Sequence, residues 1–171
     1  EYAQDESTRT RNAKRLRDVA ARVLRDVPGA ALARDSAGRV TDIAVDHSEF
    51  AHLDAARIAQ VVAVMQRHGL TATVSSIHVN GWIGAHSKWS AAQWAVRHCA
   101  GAPLDAGAWL YVGDSTNDQL MFEHVPLSIA VANIGRFVSE LDVLPAYVTR
   151  GERGAGFAEV AAALIDAHRA A

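Results

Sequence analysis

Residues Trp109-Leu110-Tyr111-Val112 form an unbroken apolar run that stops at Gly113-Asp114-Ser115-Thr116-Asn117-Asp118. Consecutive apolar residues without polar alternation predict a strand buried on both faces, as in a parallel sheet covered by helices. In open α/β sheets, ligands bind beyond the carboxyl ends of the strands. Gly113 allows the chain to turn tightly there. Asp114 projects from the strand end, and Asp118 falls in the first turn of the next element. Two carboxylates and the amide of Asn117 on one loop make a hard-oxygen site suited to Mg²⁺. The same residues also read as an ordinary βα loop, with Ser115 or Thr116 as helix N-cap and Asp118 complementing the helix dipole.

The C-terminal half repeats this grammar. A helix over 87–99, capped by Ser87, precedes the run, and a helix over 117–124 follows it. A strand over 128–131, a short helix near 136–141, a strand over 146–149, a glycine-rich loop over 151–156 and a helix over 157–169 complete the chain. Strands alternating with helices predict a parallel sheet, and hence an α/β fold. The N-terminal half differs. After a polar lead-in over 1–14, which is expected to fray, apolar spacing predicts a helix over 10–27, closed by Pro28-Gly29. Next come a hairpin of strands over 30–33 and 40–45 and a helix over 53–68 closed by Gly69. A single strand over 70–79 ends at an Asn80-Gly81 turn. This is a separate α+β layer, which divides the chain into 1–82 and 83–171.

Lys88 stands out against the composition. The chain has 17 basic residues, yet only Lys14 and Lys88 are lysines. Most basic positions accept Arg, so a Lys at a helix start suggests a need for a compact point charge. Free helix N–H groups and an ammonium can together face a phosphate. A solvated surface Lys is the alternative.

Other classes are excluded. With 50% hydrophobic residues the chain has the apolar content of a folded domain. Its longest apolar stretch, 58–65, is broken by Gln60 and far too short to cross a bilayer. A net charge of −2 gives no footprint for nucleic acid or an anionic membrane. One cysteine, Cys99, permits no internal disulfide, and a cytoplasmic location is expected. Cys99 itself is expected in the core. The eight histidines contain no His-x-His or His-x-x-x-His pair, so a histidine metal centre is not expected.

Lys88 at a helix start, followed downstream by a strand and Gly-Asp-x-x-Asn-Asp, resembles motifs three and four of the haloacid dehalogenase superfamily. The resemblance continues through Ile129-Ala130-Val131-Ala132-Asn133, Tyr147-Val148-Thr149 and Gly156-Phe157-Ala158. These look like the closing segments of the type-IIB sugar phosphatases, which include sucrose-phosphate, mannosyl-3-phosphoglycerate, trehalose-phosphate and Cof-type phosphatases. Ser76 to Trp82 is similar to the last strand of their cap. The resemblance runs from about Arg15 to the end. It implies the C-terminal portion of a Rossmannoid core, over 83–171, with part of an α+β type-IIB cap over 1–82.

The resemblance also implies a chemistry. A phosphorylated sugar or sugar conjugate would be hydrolysed through an aspartyl-phosphate with Mg²⁺ as cofactor. Asp114 and Asp118 would be the metal-site carboxylates, Asp114 as direct ligand and Asp118 as the group orienting Lys88 or a metal-bound water. Lys88 would neutralise the transferring phosphoryl, and Asn117 would hydrogen-bond it. From the cap, His78, Asn80 and Trp82 would touch the sugar, unless they are half-buried strand and turn positions. The sequence departs from the family at one point: no two of its aspartates are two residues apart, so the nucleophilic Asp-x-Asp motif is missing. The chain is therefore expected to be inactive alone. A complementary N-terminal segment or oligomerisation is expected to fill the gap beside the first core strand. A non-catalytic phosphate-binding or scaffold module, or a phosphomutase of the same fold, is the alternative.

Overall fold

A computed structural model describes residues 2–170 and divides the chain into two compact units, one ending at Ala85 and the other beginning at His86.

In the N-terminal unit, α1 (Glu6–Asp26) begins earlier than the periodicity suggests, because Asp5 caps it by accepting the Thr8 backbone N–H. This corrects the expected frayed lead-in: a side-chain cap satisfies a donor that would otherwise be orphaned. The other elements are β1 (Ala31–Leu32), β2 (Asp42–Asp46), α2 (Ala55–Arg67), β3 (Thr71–Val74) and β4 (His78–Trp82). The four strands form one antiparallel sheet in the order β1-β2-β4-β3. The hairpin of β1 and β2 forms as expected, with Leu32 opposite Val45.

The expected single strand over 70–79 is instead two strands, and Asn80-Gly81 lies inside β4 rather than at a turn. Asn80 is paired between Ala44 and Thr73. Gly81 gives α2 room, because a Cβ there would stand 2.7 Å from Met65 Sδ and force that side chain to shift. The turn signal is thus overridden by a close helix–sheet approach. One sheet face, with Val45, Val79 and Val74 in one row, packs with Leu16, Val23, Val61 and Met65 of the two helices. Each such side chain buried contributes about 1.5–3 kcal/mol. The opposite rows carry Asp46 with His78, then Ala44 with Asn80 and Thr73, then Asp42 with Trp82 and Thr71.

The C-terminal unit contains α3 (Lys88–Ala100), β5 (Leu110–Gly113), α4 (Gln119–His124), β6 (Leu127–Ala130), β7 (Tyr147–Val148) and α5 (Arg153–Ala170). Its sheet is parallel, in the order β5-β6-β7, with Val112 beside Ile129 and Ala130 beside Val148. All three carboxyl ends therefore point the same way. α3 has the expected Ser87 cap, reinforced by a reciprocal bond with Ser90, and stops at Gly101 with φ 68°.

This unit has a small core: Phe122, Ala130 and Ile134, with Tyr111, Leu141 and Val143 packed against them. No residue of α3 is fully buried. Tyr147, Val148, Phe157, Leu164 and Ile165 are exposed, and so is Cys99. The expectation of a core cysteine fails because α3 has no apolar layer over that face. β5 pairs with β6 alone among the described residues. No helix among them is long and apolar enough to cross a membrane.

Candidate functional site

The loop after β5 folds back on its own strand. Gly113 ends the strand, Thr116–Asp118 form a 3₁₀ turn, and α4 follows. Strand alternation puts Tyr111 and Gly113 on one face, and Asp118 lies over that face. A Cβ on residue 113 would stand 2.7 Å from Asp118 Cγ. The glycine in Gly-Asp is therefore needed for close approach as well as for turning. Gly113→Ala should destabilise the protein by about 1–3 kcal/mol, because Asp118 is held from several sides and cannot retreat. Urea unfolding measures this, and an unchanged midpoint would contradict it.

Asp118 is 1% exposed and accepts only donors. Lys88 Nζ lies 2.5 Å from its Oδ1, and the Tyr111 hydroxyl donates to the same oxygen. Its Oδ2 accepts the backbone N–H groups of Asp114 at 2.8 Å and Ser115 at 3.1 Å. Burial alone would raise the pKa of Asp118. The Lys88 charge and the converging donors outweigh burial and lower it below 3.8. Burial, then the Asp118 charge, pushes the Tyr111 hydroxyl far above its ordinary range, so Tyr111 remains a donor. With both oxygens occupied, Asp118 is suited to anchoring Lys88 and the loop.

Asp114 is half-buried at the strand end. Its Oδ2 accepts from Asn133 Nδ2 at 3.0 Å. Asn133 belongs to the loop after β6 and is 5% exposed. The Ser115 hydroxyl donates to Asn117 Oδ1 at 3.0 Å, orienting that amide.

The structure thus brings Lys88, Asp114, Asn117 and Asp118 together at the carboxyl end of one parallel sheet. His78 and Asn80 are on β4 of the N-terminal unit. There the His78 ring meets Glu49 at 3.1 Å, and Asn80 sits mid-strand. Tyr111 and Asn133 bond to these residues, and sequence reasoning gave neither a role. A buried Tyr needs a hydroxyl partner, which was a usable signal inside an apolar run. Asn133 carried no signal of its own role, because its partner lies 19 residues away.

The donor chemistry can be tested against a metal. A half-buried carboxylate fixed by one amide fits a hard-oxygen ligand for Mg²⁺. Among the described residues, no three His, Cys, Asp or Glu side chains converge into a complete site. Asp114 can therefore supply one ligand of such a centre, not the whole of it.

No family model and no curated protein matches the sequence. Solved structures do. The sucrose-phosphatase of Synechocystis, determined with sucrose and phosphate, is 16% identical with a TM-score of 0.63. The match covers 92% of this chain and 66% of that one. A protein of Thermoplasma acidophilum is 17% identical with a TM-score of 0.57, covering 86% of this chain and 58% of that one. The chain shares the α/β fold of these two solved structures. It spans less than two thirds of the length of either structure.

Proposed function

We propose that these residues form part of the active site of a Mg²⁺-dependent phosphohydrolase acting on a phosphorylated sugar or sugar conjugate. One observation carries the reading. A lysine at a helix N-terminus is bonded to a buried aspartate, and both stand beside Asp114 at the carboxyl end of a parallel sheet. A cation and a hard carboxylate side by side suit a phosphoryl group and its metal.

When bound, Mg²⁺ would polarise the phosphoryl oxygens and offset their charge. Asp114 would hold it. Lys88, kept in place by Asp118, would stabilise the negative charge that spreads over the transferring group. Asn117 would hydrogen-bond a phosphate oxygen. An aspartate nucleophile would attack phosphorus, the bond from phosphorus to the sugar oxygen would break, and the second carboxylic acid of the Asp-x-Asp pair would give its proton to the leaving sugar oxygen. Water would then hydrolyse the acyl phosphate, releasing inorganic phosphate and restoring the aspartate. That aspartate is not among these residues, because no Asp-x-Asp pair occurs in the sequence. We place it on a further strand added at the free edge of β5, next to Asp114.

The missing Asp-x-Asp pair favours a second reading, a module that binds phosphate without turnover. One experiment separates the two. Phosphate release from a panel of hexose and sucrose phosphates is measured with Mg²⁺ and with chelator, on the protein complete with its nucleophile. Release with Mg²⁺ that chelator abolishes is the expected result. Mg²⁺-dependent binding without release favours the module, and an isomerised hexose phosphate identifies a mutase. Neither binding nor release overturns the reading.

A further inference from the structure

We propose that Asn133 is a positioning residue for Asp114, one that sets the affinity of this site for Mg²⁺. The inference rests on the phosphohydrolase reading above and adds a residue to which that reading gives no part. Asn133 is 5% exposed, and both ends of its amide are used. Its Nδ2 donates to Asp114 Oδ2 at 3.0 Å, and its Oδ1 accepts the Arg153 backbone N–H at 3.0 Å. One side chain therefore ties the loop after β5 to the start of α5.

The surroundings make that tie rigid. Val131 N–H donates to Gly113 O at 3.1 Å, and Ala132 N–H donates to Gly151 O at 3.0 Å. The loops after all three parallel strands are thus laced together on either side of Asn133. Glu159 of α5 accepts the N–H groups of Arg150 and Gly151 at 3.0 and 2.6 Å. Gly156 lets α5 approach, since a Cβ there would fall 2.2 Å from Gly151 O. Arg153 is the only non-glycine with positive φ among the described residues, at 52°, and its N–H is the one that meets Asn133. A non-glycine persists in that region only where its surroundings hold it there.

A carboxylate that ligates a metal needs a fixed rotation, and outer partners supply it; their loss weakens metal binding about 10–100-fold. An amide suits this role at Asp114 because its N–H₂ donates without bringing a second negative charge to the site. The amide oxygen is in turn held by a backbone donor, so the N–H₂ cannot flip away from Asp114.

The test is calorimetric titration of Mg²⁺ into the metal-free protein complete with its nucleophile, comparing the unsubstituted protein with Asn133→Ala and Asn133→Ser, alongside the Mg²⁺ dependence of phosphate release. We expect Mg²⁺ affinity to fall about 10–100-fold in both variants. The half-saturating Mg²⁺ concentration for phosphate release should rise in parallel, with KM for substrate at saturating Mg²⁺ unchanged. A purely structural role gives a different signature: fewer binding sites per chain, with the affinity of the remaining sites intact. That signature, unchanged affinity, or failure of both variants to fold would each overturn the proposal. If the unsubstituted protein takes up no Mg²⁺ at all, the phosphohydrolase reading falls first and takes this inference with it.

Discussion

On the proposed function, replacing Asp114 by Asn is expected to lower Mg²⁺-dependent phosphate release by about 10³-fold, roughly 4 kcal/mol in the barrier, in the protein complete with its nucleophile. The substitution keeps the size of the side chain and removes its charge. Asn133 donates to Asp114 Oδ2, and an amide at this position can still offer that partner an oxygen, so the local fold should survive. What is lost is a hard anionic ligand, and a neutral amide oxygen holds Mg²⁺ far less well. The loss should appear in Mg²⁺ affinity and in turnover together, with the unfolding midpoint nearly unmoved. Wild-type turnover in this variant would remove Asp114 from the metal site.

The parts of this site differ in how legible they were in the sequence, and the difference has a physical cause. Asp114 and Asp118 were visible because strand and loop are contiguous: an apolar run predicts a buried strand, and whatever follows it must lie at the sheet's carboxyl end. Lys88 was visible through its rarity and through the Ser87 cap, which fixed the start of its helix. The resemblance implied that Asp118 orients Lys88 or a metal-bound water, and the structure shows the bond to Lys88, 30 residues away. The role of Asn133 was hidden, because its partner lies 19 residues away. The strand over 70–79 was misread because Asn-Gly is a strong local turn signal. Here it yields to a tertiary demand, the approach of Met65 to the sheet at Gly81. Cys99 was misplaced because the amphipathic pattern of α3 implies a covered face that this helix lacks. Local chemistry was thus readable from the residues alone, and long-range contact was not.

Asp118→Asn follows a different logic from Asp114→Asn, and its largest effect falls on stability. Each described partner of the Asp118 carboxylate is a donor in this structure: Lys88, the Tyr111 and Ser115 hydroxyls, and the backbone N–H groups of Asp114 and Ser115. An Asn has one acceptor end and one donor end. If its oxygen serves the two backbone groups, its N–H₂ faces the Lys88 ammonium. If it is flipped, its N–H₂ faces the backbone donors instead. Either way a buried donor meets donors, which costs about 2–4 kcal/mol. Lys88 also loses its anchor, so turnover should fall even in the fraction that stays folded. The pH dependence has a definite sign. The folded-state pKa of Asp118 lies below its ordinary 3.8, so its ionised form stabilises the fold fully above that value. The stabilisation fades as pH falls through the lower, folded-state value. The amide of the variant has no such titration. Urea unfolding should therefore show a large gap between wild type and variant at neutral pH, and a narrowing gap as pH drops below 3.8. A gap that stays constant through that range would mean that Asp118 contributes by packing, and that its ion pair with Lys88 adds nothing to the fold.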